Sequence, residues 1–199
     1  MSVLIEVIGA AALIVTATAV LPQTVRMVRI RSTEGVSPLW AMLGAVSTAV
    51  WTAYTAARGL WWATAADALA CLSYLSAVVV LARQGVPARL LAGAAWFAVF
   101  VLAFFVADLA GVGIVLSFAF IVQVSPSVWT AYRQDSLLGA SQTTWVLTFC
   151  EGILWLAYGA VKGDLAVVAF GTIAAIAGAL MVGRIRRVAA RVSESTIRV

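Results

Sequence analysis

The chain has 199 residues and contains no histidine, no asparagine, a single lysine, two cysteines and four prolines. Without histidine, Ser-His-Asp and Cys-His nucleophiles and any histidine proton relay are excluded, and a metal site would lack its commonest nitrogen ligand. Cys71 and Cys150 both fall inside apolar runs, which reads as two buried thiols rather than a disulfide. Charge is scarce too: 11% of residues are charged and 64% are hydrophobic, against about 25% charged in an ordinary soluble domain. That composition cannot supply a polar shell, whereas lipid asks for a nonpolar surface over about 20 residues per helix. An all-α integral membrane protein is expected, and an enzyme is not. No nucleotide motif, metal cluster or cofactor box is present, so no cofactor, no metal and no nucleic acid are expected.

Apolar runs of spanning length number seven, at about 3–22, 38–57, 61–82, 88–107, 111–131, 142–161 and 164–183. The short gaps hold most of the charge. Eleven arginines (Arg26, Arg29, Arg31, Arg83, Arg89, Arg133, Arg184, Arg186, Arg187, Arg191 and Arg198) fall on one side, while Arg58 and Lys162 fall on the other. Positive charge is retained in the cytoplasm, so the amino terminus is expected outside and the carboxyl terminus inside. Ala17-Thr18-Ala19 looks like a signal-peptidase site, but residues 1–8 carry Glu6 and no basic residue, which argues against a cleaved leader. Residues 184–199 read as a solvated basic tail, with anionic lipid head groups as the alternative contact.

Sliding the chain by 104 residues exposes an internal repeat without gaps. Pro22 falls on Pro126, Arg29 on Arg133, Ser32 on Ser136, Gly35 on Gly139, Ser37 on Ser141 and Leu43 on Leu147. Trp51 then falls on Trp155, Ala53 on Ala157, Tyr54 on Tyr158, Ala56 on Ala160 and Gly59 on Gly163. These are eleven identities over positions 22–59. Each unit covers three spans, which divides the chain into a first repeat at 1–87, a linker helix at 88–110, a second repeat at 111–183 and a basic tail at 184–199. One extra crossing between two three-helix units makes them parallel, so the expected arrangement is seven transmembrane helices as 3+1+3 around a central cavity.

A three-helix unit with Pro22-Gln23 near the end of its first helix, then "STEGVS", then a helix ending "WTAY", resembles the PQ-loop superfamily. The 3+1+3 arrangement looks most like its SWEET sugar transporters. The second unit departs from the pattern, since Pro126 is followed by Ser127. The resemblance implies hinges at the first-helix prolines, with Pro22, Gln23 and Pro126 as hinge and gate residues, which suits the bend that an interior proline imposes. Pro38 sits at a helix start, where it bends nothing, and its counterpart is Gln142, so a set of four hinges is not expected.

The same resemblance implies a mid-membrane binding layer of an aromatic from the second helix and an asparagine sixteen residues later. The matching positions are Trp51 with Asp67 and Trp155 with Gly171, each roughly 8–11 Å below the outer end of its helix at 1.5 Å per residue. An indole face suits a sugar ring, but the missing amides leave the substrate open. Asp67 and Glu151 are intramembrane acids and hence functional candidates, and Ser47, the repeat counterpart of Glu151, and Thr48 are lesser pocket donors. Three functions are expected to compete: a SWEET-like uniporter of small sugars in the plasma membrane, a proton-coupled carrier of amino acids or other charged metabolites using Asp67 and Glu151, and a non-transporting receptor or chaperone. The partners expected are a small solute and the lipid bilayer, with a homo-oligomer left open.

Overall fold

The computed structural model describes residues 2–31, 33, 36–133, 137 and 140–197, with side chains from 3 to 190. Ser32, Gly35, Ser136, Gly139 and Arg198, named above, lie outside the described residues. All described regular structure is helical: α1 (Ser2–Ala19), α2 (Leu21–Ile30), α3 (Pro38–Ala57), α4 (Trp61–Arg83), α5 (Leu90–Arg133), α6 (Gln142–Lys162) and α7 (Leu165–Ile197). Among the described residues, five stretches are long and apolar enough to cross a membrane: Val3–Ile30, Trp61–Arg83, Leu90–Arg133, Gln142–Lys162 and Leu165–Ala190. α3 is 20 residues long but is not among them, because Ser, Thr, Trp and Tyr dilute its apolar residues. Helix α7 runs on through the basic stretch that the sequence marks as a tail.

Two irregularities shape the path. Proline 22 has no N–H for the Thr18 carbonyl, and the helix is interrupted at Val20, which keeps right-handed φ/ψ of −83° and −25°. The chain resumes as α2 instead of stopping, after a one-residue interruption of the kind an interior proline causes. In α5, Ala107 and Asp108 leave helical geometry, and Asp108 takes φ 50° and ψ −144°, a conformation that disfavours any side chain. Residues eight apart in a straight helix are about 12 Å apart, yet a methyl on Gly111 would strike the Ala103 carbonyl. So α5 doubles back at 107–108 into two arms, residues 90–107 and 108–133, close to the break expected between 107 and 111.

Helix contacts close a ring in the order α1, α4, α3, α5, α7, α6 and back to α1. In each triplet the third helix lies between the first two: α4 between α1 and α3, and α7 between α5 and α6. The sequence repeat is also visible in detail. Ser37 and Ser141 cap α3 and α6 by accepting from Trp40 N and Thr144 N at 3.4 and 3.3 Å. Trp51 meets Tyr54 edge-on at 5.6 Å and 86°, and Trp155 meets Tyr158 at 5.4 Å and 88°. Large apolar side chains such as Leu91, Phe105 and Leu165 are 80% or more exposed, the outward face that a lipid environment requires. Cys150 is on that exposed face, which corrects the expectation of two buried thiols. Cys71 is half-buried, and neither is in a disulfide.

Candidate functional site

A narrow cavity of about 40 Å³ lies at the centre of the ring and takes lining residues from all six ring helices. A water needs about 10–15 Å³ on this scale, so it has room for a few waters or a small solute. α1 contributes Thr16, α3 Trp40, Thr48 and Trp51, α4 Asp67 and Tyr74, α5 Phe120 and Gln123, α6 Thr144, Trp145, Thr148 and Glu151, and α7 Phe170.

The polar groups are unevenly satisfied. The Thr16 hydroxyl donates to Glu151 Oε1 at 2.8 Å and accepts from Trp155 Nε1 at 2.8 Å, a relay that ties α1 to two positions of α6. Gln123 Nε2 donates to the Tyr74 hydroxyl at 2.7 Å. Asp67 is less well served. Thr55 Oγ1 is 3.5 Å from its Oδ2, but that hydroxyl has a better acceptor in the Trp51 carbonyl at 2.8 Å. Thr144 Oγ1 is buried with no hydrogen-bond partner. Thr48 and Thr148 spend their hydroxyls on the carbonyls of Gly44 and Thr144 in their own helices, at 2.7 and 3.0 Å.

The four residues expected to form one layer are only partly together. Trp51, Asp67 and Trp155 line an adjoining pocket of about 20 Å³, and Trp51 and Asp67 also line the main cavity. Gly171 does not: a Cβ there would meet Leu156 N and the Gly152 carbonyl, so this glycine is where α7 touches the α6 backbone, not vacated binding space. Ser47 is 1% exposed and accepts from Trp96 Nε1 at 2.9 Å, so it faces the first arm of α5 while its repeat counterpart Glu151 faces the cavity. Thr16, Tyr74, Gln123 and Thr144 were missed by the sequence reading. The signal for Tyr74 and Gln123 was a hydrogen-bonding side chain inside an apolar run.

Both ends of the cavity are bridged between the two repeats. At the end rich in Trp and Tyr, Tyr54 and Arg58 of α3 reach Asp164 at the start of α7, at 3.2 and 3.4 Å. Lys162, the repeat counterpart of Arg58, lies 4.0 Å from Glu6, which also accepts from Trp62 Nε1. At the other end Gln23 Oε1 accepts from Ser141 N at 3.0 Å, joining α2 to the start of α6. A smaller pocket between Gln23, Ser127, Trp40 and Trp145 adjoins this contact.

Apolar helices closing around a polar interior define a multi-pass membrane protein. Residues 4–64 match the family model described as the PQ loop repeat, which covers α1 to α3 and the start of α4. No curated protein matches the chain significantly.

Proposed function

We propose that the chain is a carrier that moves a small polar solute across the plasma membrane by alternating access. In this reading it crosses seven times, as two parallel three-helix units joined by the first arm of α5, with the amino terminus outside and the carboxyl terminus in the cytoplasm. The observation that carries it is the cavity lined by all six ring helices, so that a solute inside touches both units at once. Cross-repeat contacts at the two ends, Asp164 with Arg58 and Gln23 with Ser141, can then open alternately. The interruption at Val20, beside Pro22, supports a hinge at the inner end of the first helix, whereas the helix runs unbroken through Pro126 at the equivalent position.

A sugar is the solute that the SWEET resemblance implies, and the Trp51 ring beside the cavity supports stacking on a pyranose face. A second reading is favoured by one observation: Asp67 and Glu151 line the same cavity, which suits a charged solute or a coupled proton. Proteoliposome uptake of labelled sugars and charged metabolites, with and without an inward proton gradient, tests both. Gradient-insensitive sugar flux supports the first, and gradient-driven flux of a charged solute supports the second. Retained ligand binding with no flux of any solute would sink the carrier and leave a receptor of the same fold.

A further inference from the structure

We propose that the cavity selects a small organic cation, an ammonium group without an attached carboxylate. The inference rests on the carrier reading for its transport step but not for its binding step. Three independent features of the cavity point to it.

The first is charge. Asp67 and Glu151 both line the cavity, and among the described residues no Lys or Arg does. The cations nearest in function, Arg58 and Lys162, are engaged at the outer end with Asp164 and Glu6. Glu151 Oε1 already accepts a hydrogen bond from the Thr16 hydroxyl, while Asp67 has only the long contact with Thr55. Two acidic groups with no internal counter-ion are left for a proton or a cationic solute to neutralise.

The second is the wall. Trp40, Trp51, Tyr74, Phe120, Trp145 and Phe170 surround the same space. Their edge-to-face contacts, Trp40 with Tyr74 at 5.1 Å, Trp51 with Phe170 at 5.8 Å and Phe120 with Phe170 at 5.2 Å, hold the rings in fixed orientation. Ring faces attract a desolvated ammonium and its polarised methyl or methylene groups. A metal cation would instead need a compact shell of oxygen ligands, and among the described residues no three His, Cys, Asp or Glu side chains are gathered to hold one.

The third is a polar atom without a partner. Thr144 is 3% exposed, lines the cavity, and its Oγ1 has no hydrogen-bond partner. A buried hydroxyl left unpaired is costly, so the position suits a solute that carries a donor or acceptor beside its charge. A zwitterionic amino acid fits poorly. Its carboxylate would have no basic partner and would lie among Asp67 and Glu151.

Detergent-purified protein, titrated with choline, tetramethylammonium, lysine and glucose, reports binding through the fluorescence of the cavity tryptophans. Choline and tetramethylammonium are permanently charged and do not leak across liposomes as neutral bases, so the same two serve for uptake. Saturable quenching by choline, with lysine and glucose weaker by roughly tenfold or more, is expected, as is a similar loss of choline affinity in Asp67→Asn and Glu151→Gln. The wild-type ranking stands as a test even where a variant fails to fold. Glucose binding and flux with no choline binding would overturn the cation assignment and keep the carrier. Choline binding without flux would keep the cation site and sink the carrier. Lysine binding as tight as choline, binding of none of the four, or unchanged choline affinity in both folded variants would each overturn the proposal.

Discussion

Arg58 and Asp164 meet across the two repeats, Nε to Oδ2 at 3.4 Å, with the carboxylate buried and the guanidinium half exposed. The pair is the least of what Asp164 does. Its Oδ1 accepts from Ala166 N and Val167 N at 3.0 and 3.2 Å, capping α7, and its Oδ2 takes the Tyr54 hydroxyl at 3.2 Å. A cap contributes about 1 kcal/mol and a half-exposed ion pair about 0–1 kcal/mol. Asp164→Ala is therefore expected to lower stability by about 2 kcal/mol, and Arg58→Ala by less than about 1 kcal/mol. Denaturation in detergent measures both, and equal losses would mean that the ion pair outweighs the cap.

Thr16 serves two buried groups at once, Glu151 and Trp155. Thr16→Val keeps the shape and leaves both without their partner, which should cost about 2–6 kcal/mol at about 1–3 kcal/mol per orphaned group. Thr18 makes the control, since it is exposed and its hydroxyl returns to the Ile14 carbonyl of its own helix at 2.7 Å. Thr18→Val should stay within about 0.5 kcal/mol. Comparable losses at the two positions would show that the relay adds nothing beyond local helix bonding.

The bounds of α3, α4 and α6 were legible because proline, glycine and charge end their apolar runs, whereas α7 runs on past Arg184. α3 begins at Pro38 and ends at Ala57, as the pattern implies, and α4 and α6 differ from it by one residue at the carboxyl end. Facing was less legible. Ser47 and Glu151 occupy equivalent positions in the repeat, yet one meets Trp96 and the other meets Thr16, because the first arm of α5 packs beside α3 and has no counterpart in the second unit. Gly171 matched a binding position by spacing, but an absent side chain reads equally as a hollow or as a contact, and only the nearness of the α6 backbone decides. Asp67 and Glu151 stood out as charges, while Tyr74 and Gln123, neutral and hydrogen-bonded to each other, did not.

Close approach of α6 and α7 gives the next test. A Cβ on Gly171 would collide with Leu156 N, and a Cβ on Gly152 with Ala175 N, so neither helix can yield without moving backbone. Gly171→Ala should cost at least about 2 kcal/mol, in the upper part of the usual overpacking range. On the same helix a Cβ on Gly183 meets nothing within 4 Å. Gly183→Ala should be neutral or stabilise by up to about 1 kcal/mol through helix propensity. A thermal melt that ranks the two the other way would overturn the contact.

Pro22 and Pro126 hold equivalent positions but leave different carbonyls behind. At Pro126 the helix runs through unbroken, and the Ser125 hydroxyl donates at 3.2 Å to the Val122 carbonyl, the one that proline cannot serve. At Pro22 the helix is interrupted at Val20. Pro22→Ala restores a donor for Thr18 and should close the interruption, raising stability by about 1 kcal/mol or more while slowing solute exchange about tenfold if the interruption is the moving part. Pro126→Ala should change exchange less than about threefold. The serine offers a sharper check by double-mutant cycle. On a lipid-facing surface no water takes over the carbonyl, so Ser125→Ala should cost about 1 kcal/mol in the wild type. In the Pro126→Ala background the restored amide takes that carbonyl, and the same change should cost close to nothing. Equal costs in the two backgrounds would mean that Ser125 does not compensate for the proline, and the asymmetry between the two prolines would then need another cause.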